Sequence, residues 1–512
     1  MPEASNHMPF ASNTLQSLFV SVASDDLTLN SSTNESYSIS VQATGPPTAL
    51  LYAHTVYGVL RGLETFSQLT TRKLSAACPG SGVGINSTAV TIRDAPRFGW
   101  RGIMLDSARH FLPVATIERF LDAMETNKFN VLHWHISDSQ SFPLKTDRTP
   151  ALAARGAYAP SLTYSVADAR RVVAYAADRG IRVVPELDSP GHALSWAKGY
   201  PDAALAECET LDPTADATFA LLDELLGEVA EIFPDPHLHI GADEVNFSCW
   251  NGSASVVAYM AREGLSRDAV GFKALTSRYI GELARLARRH GKRAVAWQEA
   301  LDHYGPTTAN PTPPAPELPA DTLIEQWLEP AWNWANLSAI TGRGGYLGRP
   351  DATTAAWPAA DRAGFASLVT LGWYLDNTAS LNSWEAAYAR EPLTNKSCTY
   401  DPSSGRELSC ACACPSGPWR DGACHCYDLR PGHAPSAQSA KVLGGEAPLW
   451  GEHIDASNLL PRAFPRASAV AERLWSAMEL NDAAAATPRL LKHRCRMLER
   501  GFEVTPLGPG FC

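Results

Sequence analysis

From residue 99 onward, short apolar runs recur along the chain, separated by stretches with helical spacing. The runs are Ile103-Met-Leu, Asn130-Val-Leu-His-Trp, Ile181-Arg-Val-Val, His237-Leu-His-Ile, Ala294-Val-Ala-Trp, Leu323-Ile-Glu-Gln-Trp, Leu368-Val-Thr-Leu and Val442-Leu-Gly-Gly, eight in all. Each is too short for a helix and continuous enough for a strand buried on both faces. Between them, Ile117, Phe120, Leu121 and Met124 recur at helical spacing, as do Phe272, Leu275, Tyr279, Leu283 and Leu286, so each set lines one helical face. Parallel strands need crossover helices, and eight such units close into a (β/α)8 barrel that leaves no bare sheet edge.

The predicted fold class is therefore α/β: a TIM barrel over residues 95–512, preceded by a small α/β domain over residues 1–94. In that first domain Leu15–Ser24 and Tyr37–Ala43 alternate like strands, and Thr55–Leu69 reads as a helix. Two segments interrupt the barrel, the Pro-rich 305–321 and the Cys-rich 397–440, and both read as loops. No repeat is visible beyond the β-α alternation.

Composition narrows the function. A chain of 512 residues that is 45% apolar and 19% charged excludes disordered and fibrous classes. With 43 Lys+Arg against 54 Asp+Glu, the net charge is −11, and no basic run of the kind that neutralises a phosphate backbone is present, so nucleic acid is not an expected partner. No apolar stretch reaches the roughly 18 residues of a membrane helix, and no membrane association is expected. The start, Met1-Pro-Glu-Ala-Ser-Asn, has neither a basic nor an apolar leader, so any export signal is expected to be missing or unusual. Yet seven Asn-x-Ser/Thr sequons occur, at Asn30, Asn34, Asn86, Asn246, Asn251, Asn336 and Asn395. Chance would give about two or three, so the excess favours a secretory route, secreted or vacuolar/lysosomal. Six of the 11 cysteines (Cys398, Cys410, Cys412, Cys414, Cys424 and Cys426) fall within 29 residues and read as a stapled loop in an oxidising compartment. A zinc knuckle using His425 or His433 is the competing reading, although C-x-C-x-C is not the usual zinc spacing.

Catalytic groups of such barrels come from the carboxyl ends of strands and the loops that follow. Those places hold Asp106, His133, His135, Asp138, Glu186, Asp188, His192, Asp243, Glu244, Trp297, Glu299, Trp327, Trp373, Tyr374, Asp376, Trp450 and Glu452. Carboxylates with large aromatics suit a neutral sugar, whose C–H face packs on rings and whose hydroxyls bond to carboxylates; a phosphate would call for Arg, Lys or a Gly-rich loop. Cleaving a glycosidic bond requires a proton on the leaving oxygen. Adjacent Asp243 and Glu244 resist ionising together, which leaves an acid beside a charged stabiliser. Taken alone, Asp-Glu is common at helix starts, and each tryptophan alone could be core filling.

Five motifs stand in one order: Arg101-Gly-Ile-Met-Leu-Asp-Ser-Ala-Arg-His110, His133-Trp-His-Ile-Ser-Asp138, Pro185-Glu-Leu-Asp-Ser-Pro-Gly-His192, His239-Ile-Gly-Ala-Asp-Glu-Val245 and Gly444-Gly-Glu-Ala-Pro-Leu-Trp-Gly-Glu452. Together, over roughly residues 50 to 512, they resemble glycoside hydrolase family 20, the β-N-acetylhexosaminidases. The resemblance implies a retaining exo-enzyme that removes terminal N-acetylglucosamine, or N-acetylgalactosamine, from chitooligosaccharides or glycoconjugates. The substrate's 2-acetamido oxygen would attack the anomeric carbon and form an oxazolinium. It implies Glu244 as general acid and then base, Asp243 orienting the acetamide, and Tyr374 bonded to the acetamide oxygen. Trp297, Trp327 and Trp450 would wall the pocket, and Arg101, Asp376 and Glu452 would hold sugar hydroxyls. Asp138 and His192 would form a relay to Glu244, whereas His133 and His135 read as structural. No cofactor or metal is implied, and family members are often dimers. By the same resemblance Cys208 pairs with Cys249 and Cys495 with Cys512; the N-terminal domain looks short, and the partner of Cys78 is expected upstream of the sequence.

One departure is Gly241-Ala242 before Asp243, where the family has Gly-Gly; the extra methyl could narrow the pocket floor. Two rival functions stand beside this one. A metal-dependent barrel hydrolase could use His133 and His135 with His192, His239 and Asp243, and would lose activity to a chelator. A non-catalytic sugar-binding homologue would keep the rings and fail a chromogenic assay.

Overall fold

The computed structural model describes residues 15, 17–41, 48–72, 83–85, 89–302, 318–327, 365–370, 372–376, 383–392, 396–400, 407–412, 442–510 and 512. The chain divides into two compact units, residues 1–97 and 98–512.

In the first unit a four-stranded sheet runs in the order Ser17–Val22, Thr48–Ala53, Tyr37–Val41, Val90–Asp94. The first pair is parallel and the other two are antiparallel. Ala49, Leu51 and Ala53 alternate with exposed Leu50 and Tyr52, so one face is buried and the other is open. The helix Val56–Leu69 begins where Thr55 Oγ1 accepts the Gly58 N–H at 3.2 Å, a side-chain cap for one unpaired amide of its first turn. This helix and the strands at residues 17–22 and 37–41 are as predicted, whereas Thr48–Ala53 is a further strand that the pattern hides, because it runs into the helix with no Gly or Pro between them.

The second unit is a closed barrel of eight parallel strands: Trp100–Asp106, Val131–Ser137, Arg182–Ser189, His237–Gly241, Arg293–Trp297, Leu323–Gln326, Ala366–Val369 and Val442–Leu449. All eight apolar runs are in it. Closure is made by the last strand on the first, in register from Gly444 opposite Trp100 to Leu449 opposite Leu105. Outward positions such as Ile103, Leu105, Leu132 and Ile136 pack with Ile117, Phe120, Leu121 and Met124 of the helix Val114–Thr126. Inward positions are different. Trp100, Val131, Val184, Val295, Leu323 and Leu368 form a separate apolar floor, and the inward residues next along the strands include His133, Glu186, His239, Glu325 and Glu446. Gly102 makes room for the last of these, since a Cβ there would sit 2.7 Å from Glu446 Cγ.

Disulfides join Cys208 to Cys249 and Cys495 to Cys512. Within the segment expected to be a loop, Lys396–Tyr400 and Glu407–Cys412 pair as an antiparallel hairpin, with Cys398 opposite Cys410. Cys78, Cys414, Cys424, Cys426, His425 and His433 lie outside the described residues, as does the 305–321 insert up to residue 317. Among the described residues, no helix is long and apolar enough to cross a membrane.

Candidate active site

The carboxyl end of the barrel gathers Asp138, His192, Asp243 and Glu244 from three successive strand ends. His192 stands between carboxylates: its Nδ1 is 3.4 Å from Asp138 Oδ1, and its Nε2 is 3.4 Å from Glu244 Oε2 and 3.8 Å from Asp243 Oδ2. Burial opposes a charge on His192, but Asp138 outweighs it and holds the imidazole well above its ordinary range. The backbone reaches this arrangement by an uncommon route. His192, Gly241, Ala242 and Glu244 have φ of 55°, 68°, 79° and 48°, in the left-handed region. Such residues persist only where surrounding structure over-determines them, and they concentrate at functional sites. Gly241 has a second reason to be glycine, because a Cβ there would lie 1.6 Å from Asp188 Oδ1. The Ala242 methyl is fully buried in the shell between strands and helices, so it does not narrow the pocket floor.

Burial pushes the Asp243 carboxyl up to about 6, with Glu244 adding to the rise and His192 opposing it. Its Oδ1 has no hydrogen-bond partner among the described residues. Glu299 is likewise pushed well up by burial and by Asp243, and its Oε2 accepts the Trp327 indole N–H at 2.8 Å. Tyr374 feels burial first, then the charges of Asp376, Glu325, Glu299 and Asp243, all of which keep its phenol protonated and able to donate. Burial also moves Asp376 up to about 6. Trp297 and Trp450 approach with ring centroids 5.8 Å apart. The aromatic wall, the phenol and the carboxyl pair thus belong to one site.

Comparison with known proteins places this geometry in a family. The model for "Glycosyl hydrolase family 20, catalytic domain" matches residues 98–346 and 351–478, and a "beta-acetyl hexosaminidase like" model matches residues 1–69. The chain belongs to glycosyl hydrolase family 20. The beta-hexosaminidase subunit beta of Homo sapiens is 36% identical over 98% of this chain and 78% of its own length. The subunit alpha of Bos taurus is 35% identical over 91% and 75%. Among solved structures, a Flavobacterium johnsoniae chitobiase aligns with a TM-score of 0.70 at 26% identity, covering 97% of this chain and 64% of the chitobiase. The chain is a glycoside hydrolase of the β-hexosaminidase kind, and hexosamine-containing glycans are its substrates.

The family expectation for Arg101 is corrected by its position. Arg101 is the second residue of the first barrel strand, at the end opposite the site, and five residues of strand put it roughly 17 Å from Asp106. It is buried there, donating to the Lys128 and Phe98 carbonyls at 3.0 and 2.9 Å, with its guanidinium over Trp475. The arginine at the mouth is Arg109, eight residues on in the same motif. It bonds Asp106 at 2.9 Å and Asp138 at 2.7 Å, lies 3.9 Å from Glu452 and stacks over Trp450. Strand direction is the signal that separates the two, because only residues at or past the carboxyl end of a strand reach the catalytic face. Asp106, the last residue of that strand, has two oxygens that accept four N–H groups and fix the turn that presents Arg109 and Gly451.

His133 and His135, read as structural, are buried and engaged by carboxylates: His133 Nδ1 bonds Glu446 at 2.9 Å, and His135 bonds Glu186 and Asp138. Asn246 Oδ1 caps the helix Phe247–Gly252 by accepting the Cys249 N–H at 3.1 Å. A glycan two residues from Glu244 would crowd the cleft, so glycopeptide mapping is expected to find Asn246 unoccupied. Full occupancy would count against the placement of Glu244.

Proposed function

We propose that this enzyme is a retaining exo-β-N-acetylhexosaminidase that cleaves terminal N-acetylglucosamine, or N-acetylgalactosamine, from chitooligosaccharides or glycoconjugates by substrate-assisted catalysis. The observation that carries the reading is His192, held between Asp138 on one side and Glu244 with Asp243 on the other. Glu244, the most accessible of the four, protonates the leaving oxygen and then deprotonates the incoming water. No protein nucleophile is needed, because the acetamido oxygen attacks the anomeric carbon with an effective molarity of ~10⁵ M or more when held in line. Asp243 orients the acetamide N–H and stabilises the charge that develops there. Tyr374 donates to the acetamide oxygen. Trp297, Trp327 and Trp450 enclose the acetamido group and the sugar face, while Arg109, Asp376 and Glu452 take hydroxyls. The excess of sequons and the paired cysteines support work in the secretory pathway, secreted or vacuolar/lysosomal.

A chromogenic N-acetyl-β-glucosaminide should be hydrolysed with retention, insensitive to chelator and blocked by a thiazoline that imitates the cyclised sugar, whereas the matching β-glucoside should be inert. Hydrolysis of the glucoside at a similar rate, or an inverted product, would sink the proposal. Tyr374→Phe should lower kcat/KM on acetamido substrates by about 1.5–3 kcal/mol, the worth of one hydrogen bond to a charged group. An unchanged kcat/KM would remove Tyr374 from the acetamide.

A further inference from the structure

The mechanism just described makes no use of the buried ionic layer inside the barrel. At its centre is Glu186, fully buried on the third strand. Its Oε1 is 2.9 Å from His239 Nδ1 and accepts the Trp297 indole N–H at 2.8 Å. Its Oε2 bonds His135 Nδ1 and stands 3.0 Å from His133 Nε2. One carboxylate therefore touches both a ring of the sugar pocket and the imidazole behind the relay. A carboxylate this deep would take up a proton if it were alone. Here burial is outweighed by three imidazoles, His239 first, which hold Glu186 well below the ordinary carboxylate range.

His135 is the link to the chemistry. Its Nε2 is 3.1 Å from Asp138 Oδ2 while its Nδ1 faces Glu186, so both ring nitrogens point at carboxylates. A neutral imidazole can donate from one nitrogen only; donating from both requires the imidazolium. Glu186 is what sustains that charge: burial opposes it, and Glu186 pushes His135 up to about 10. The other charges near His135 and Glu186 are Asp106, Asp188 and Asp243. Glu446 and Glu325 act one step further off, through His133 and His239. Asp138 also meets Arg109, at 2.7 Å, and His192.

We propose that Glu186 is a positioning residue that reaches the reacting sugar by two routes, fixing His135 as a charged double donor behind the Asp138–His192–Glu244 relay and fixing Trp297 in the pocket wall. This rests on the function proposed above. Carboxylates and imidazoles then alternate without a break from Glu446 through His133, Glu186, His135, Asp138 and His192 to Glu244.

The sign of the effect follows from the order of the groups. In Glu186→Gln the amide oxygen still accepts from Trp297, but the amide N–H₂ faces His135 Nδ1, which must give up its proton to accept from it. Asp138 then loses a cation in direct contact and, one step further away, an anion. The nearer loss dominates; Asp138, still held by Arg109 and His192, stays ionised, and Glu244 at the far end of the relay holds its proton to higher pH. The test measures kcat and KM against pH on a chromogenic N-acetyl-β-glucosaminide for wild type, Glu186→Gln and His135→Gln. In Glu186→Gln the alkaline limb of the bell should move up by about half a unit to one unit. Its kcat should fall about tenfold at the wild-type optimum while KM stays within about threefold. In His135→Gln, which loses the cation and keeps the anion, the alkaline limb should move further in the same direction. If Glu186→Gln fails to fold, as judged by circular dichroism, His135→Gln decides alone. A folded His135→Gln variant whose alkaline limb stays at the wild-type position overturns the proposal. A wild-type enzyme inert on the substrate would instead remove the underlying function.

Discussion

Glu244→Gln should lower turnover by about 10²-fold or more while substrate and inhibitor binding remain close to wild type. The amide matches the carboxyl in size, so the pocket is undisturbed, but it has no proton to give to the leaving oxygen. General acid catalysis contributes about 10²–10⁴-fold, which sets the scale. The loss should grow with the basicity of the leaving group: modest for a nitrophenol, which departs as a stable anion, and larger for a second sugar. The His192 contact, 3.4 Å from Glu244 Oε2, should persist with the amide, so the relay is not the part that fails. The check is a comparison of kcat for aryl and disaccharide substrates together with thiazoline affinity. Turnover like that of wild type on the disaccharide would take Glu244 out of its role.

A second large effect concerns stability. Glu325 is fully buried, its Oε2 stands 3.4 Å from His239 Nε2, and its Oε1 has no hydrogen-bond partner among the described residues. Burial first, and then the charge of Glu446, push its carboxyl up from 4.5 to about 7, with the His239 hydrogen bond opposing. The folded chain thus keeps a proton that the unfolded chain releases near pH 4.5, and stability falls as pH rises between these two values. Glu325→Gln removes the ionisation altogether. Relative to wild type it should be near neutral below pH 4.5 and stabilising by about 2–3 kcal/mol above pH 7. Melting temperatures of the two proteins across pH 4–8 would show this. A variant less stable than wild type at pH 8 would mean that the ionised carboxylate is an asset to the fold.

Much of this molecule is legible in its sequence, for physical reasons that also mark where legibility stops. Parallel barrel strands are buried on both faces and announce themselves as unbroken apolar runs, as Ile103-Met-Leu and His237-Leu-His-Ile do. Strand ends could be read for chemistry because the fold puts its reactive groups there, and Asp138, His192, Asp243 and Glu244 do converge. Position within a strand was harder to use. Arg101 and Arg109 share one motif, and only the direction of Trp100–Asp106 separates a buried brace at the base from a group at the mouth. The ionic layer was harder still. His133 and His135 alternate with apolar residues like any inward-facing strand positions, and nothing local says that Glu186, Glu325 and Glu446 arrive beside them from three other strands. Such pairing is a product of closure.

The close approach of Glu446 to Gly102 also constrains how this protein can change. Even a single methyl at position 102 would press on Glu446, whose carboxylate holds both Trp100 Nε1 and His133. Enlarging residue 102 would call for a change at residue 446 as well, and that change would take from His133 Nδ1 its bond to Glu446 and leave the imidazole with Glu186. Two positions more than 300 residues apart are thereby locked into a joint history.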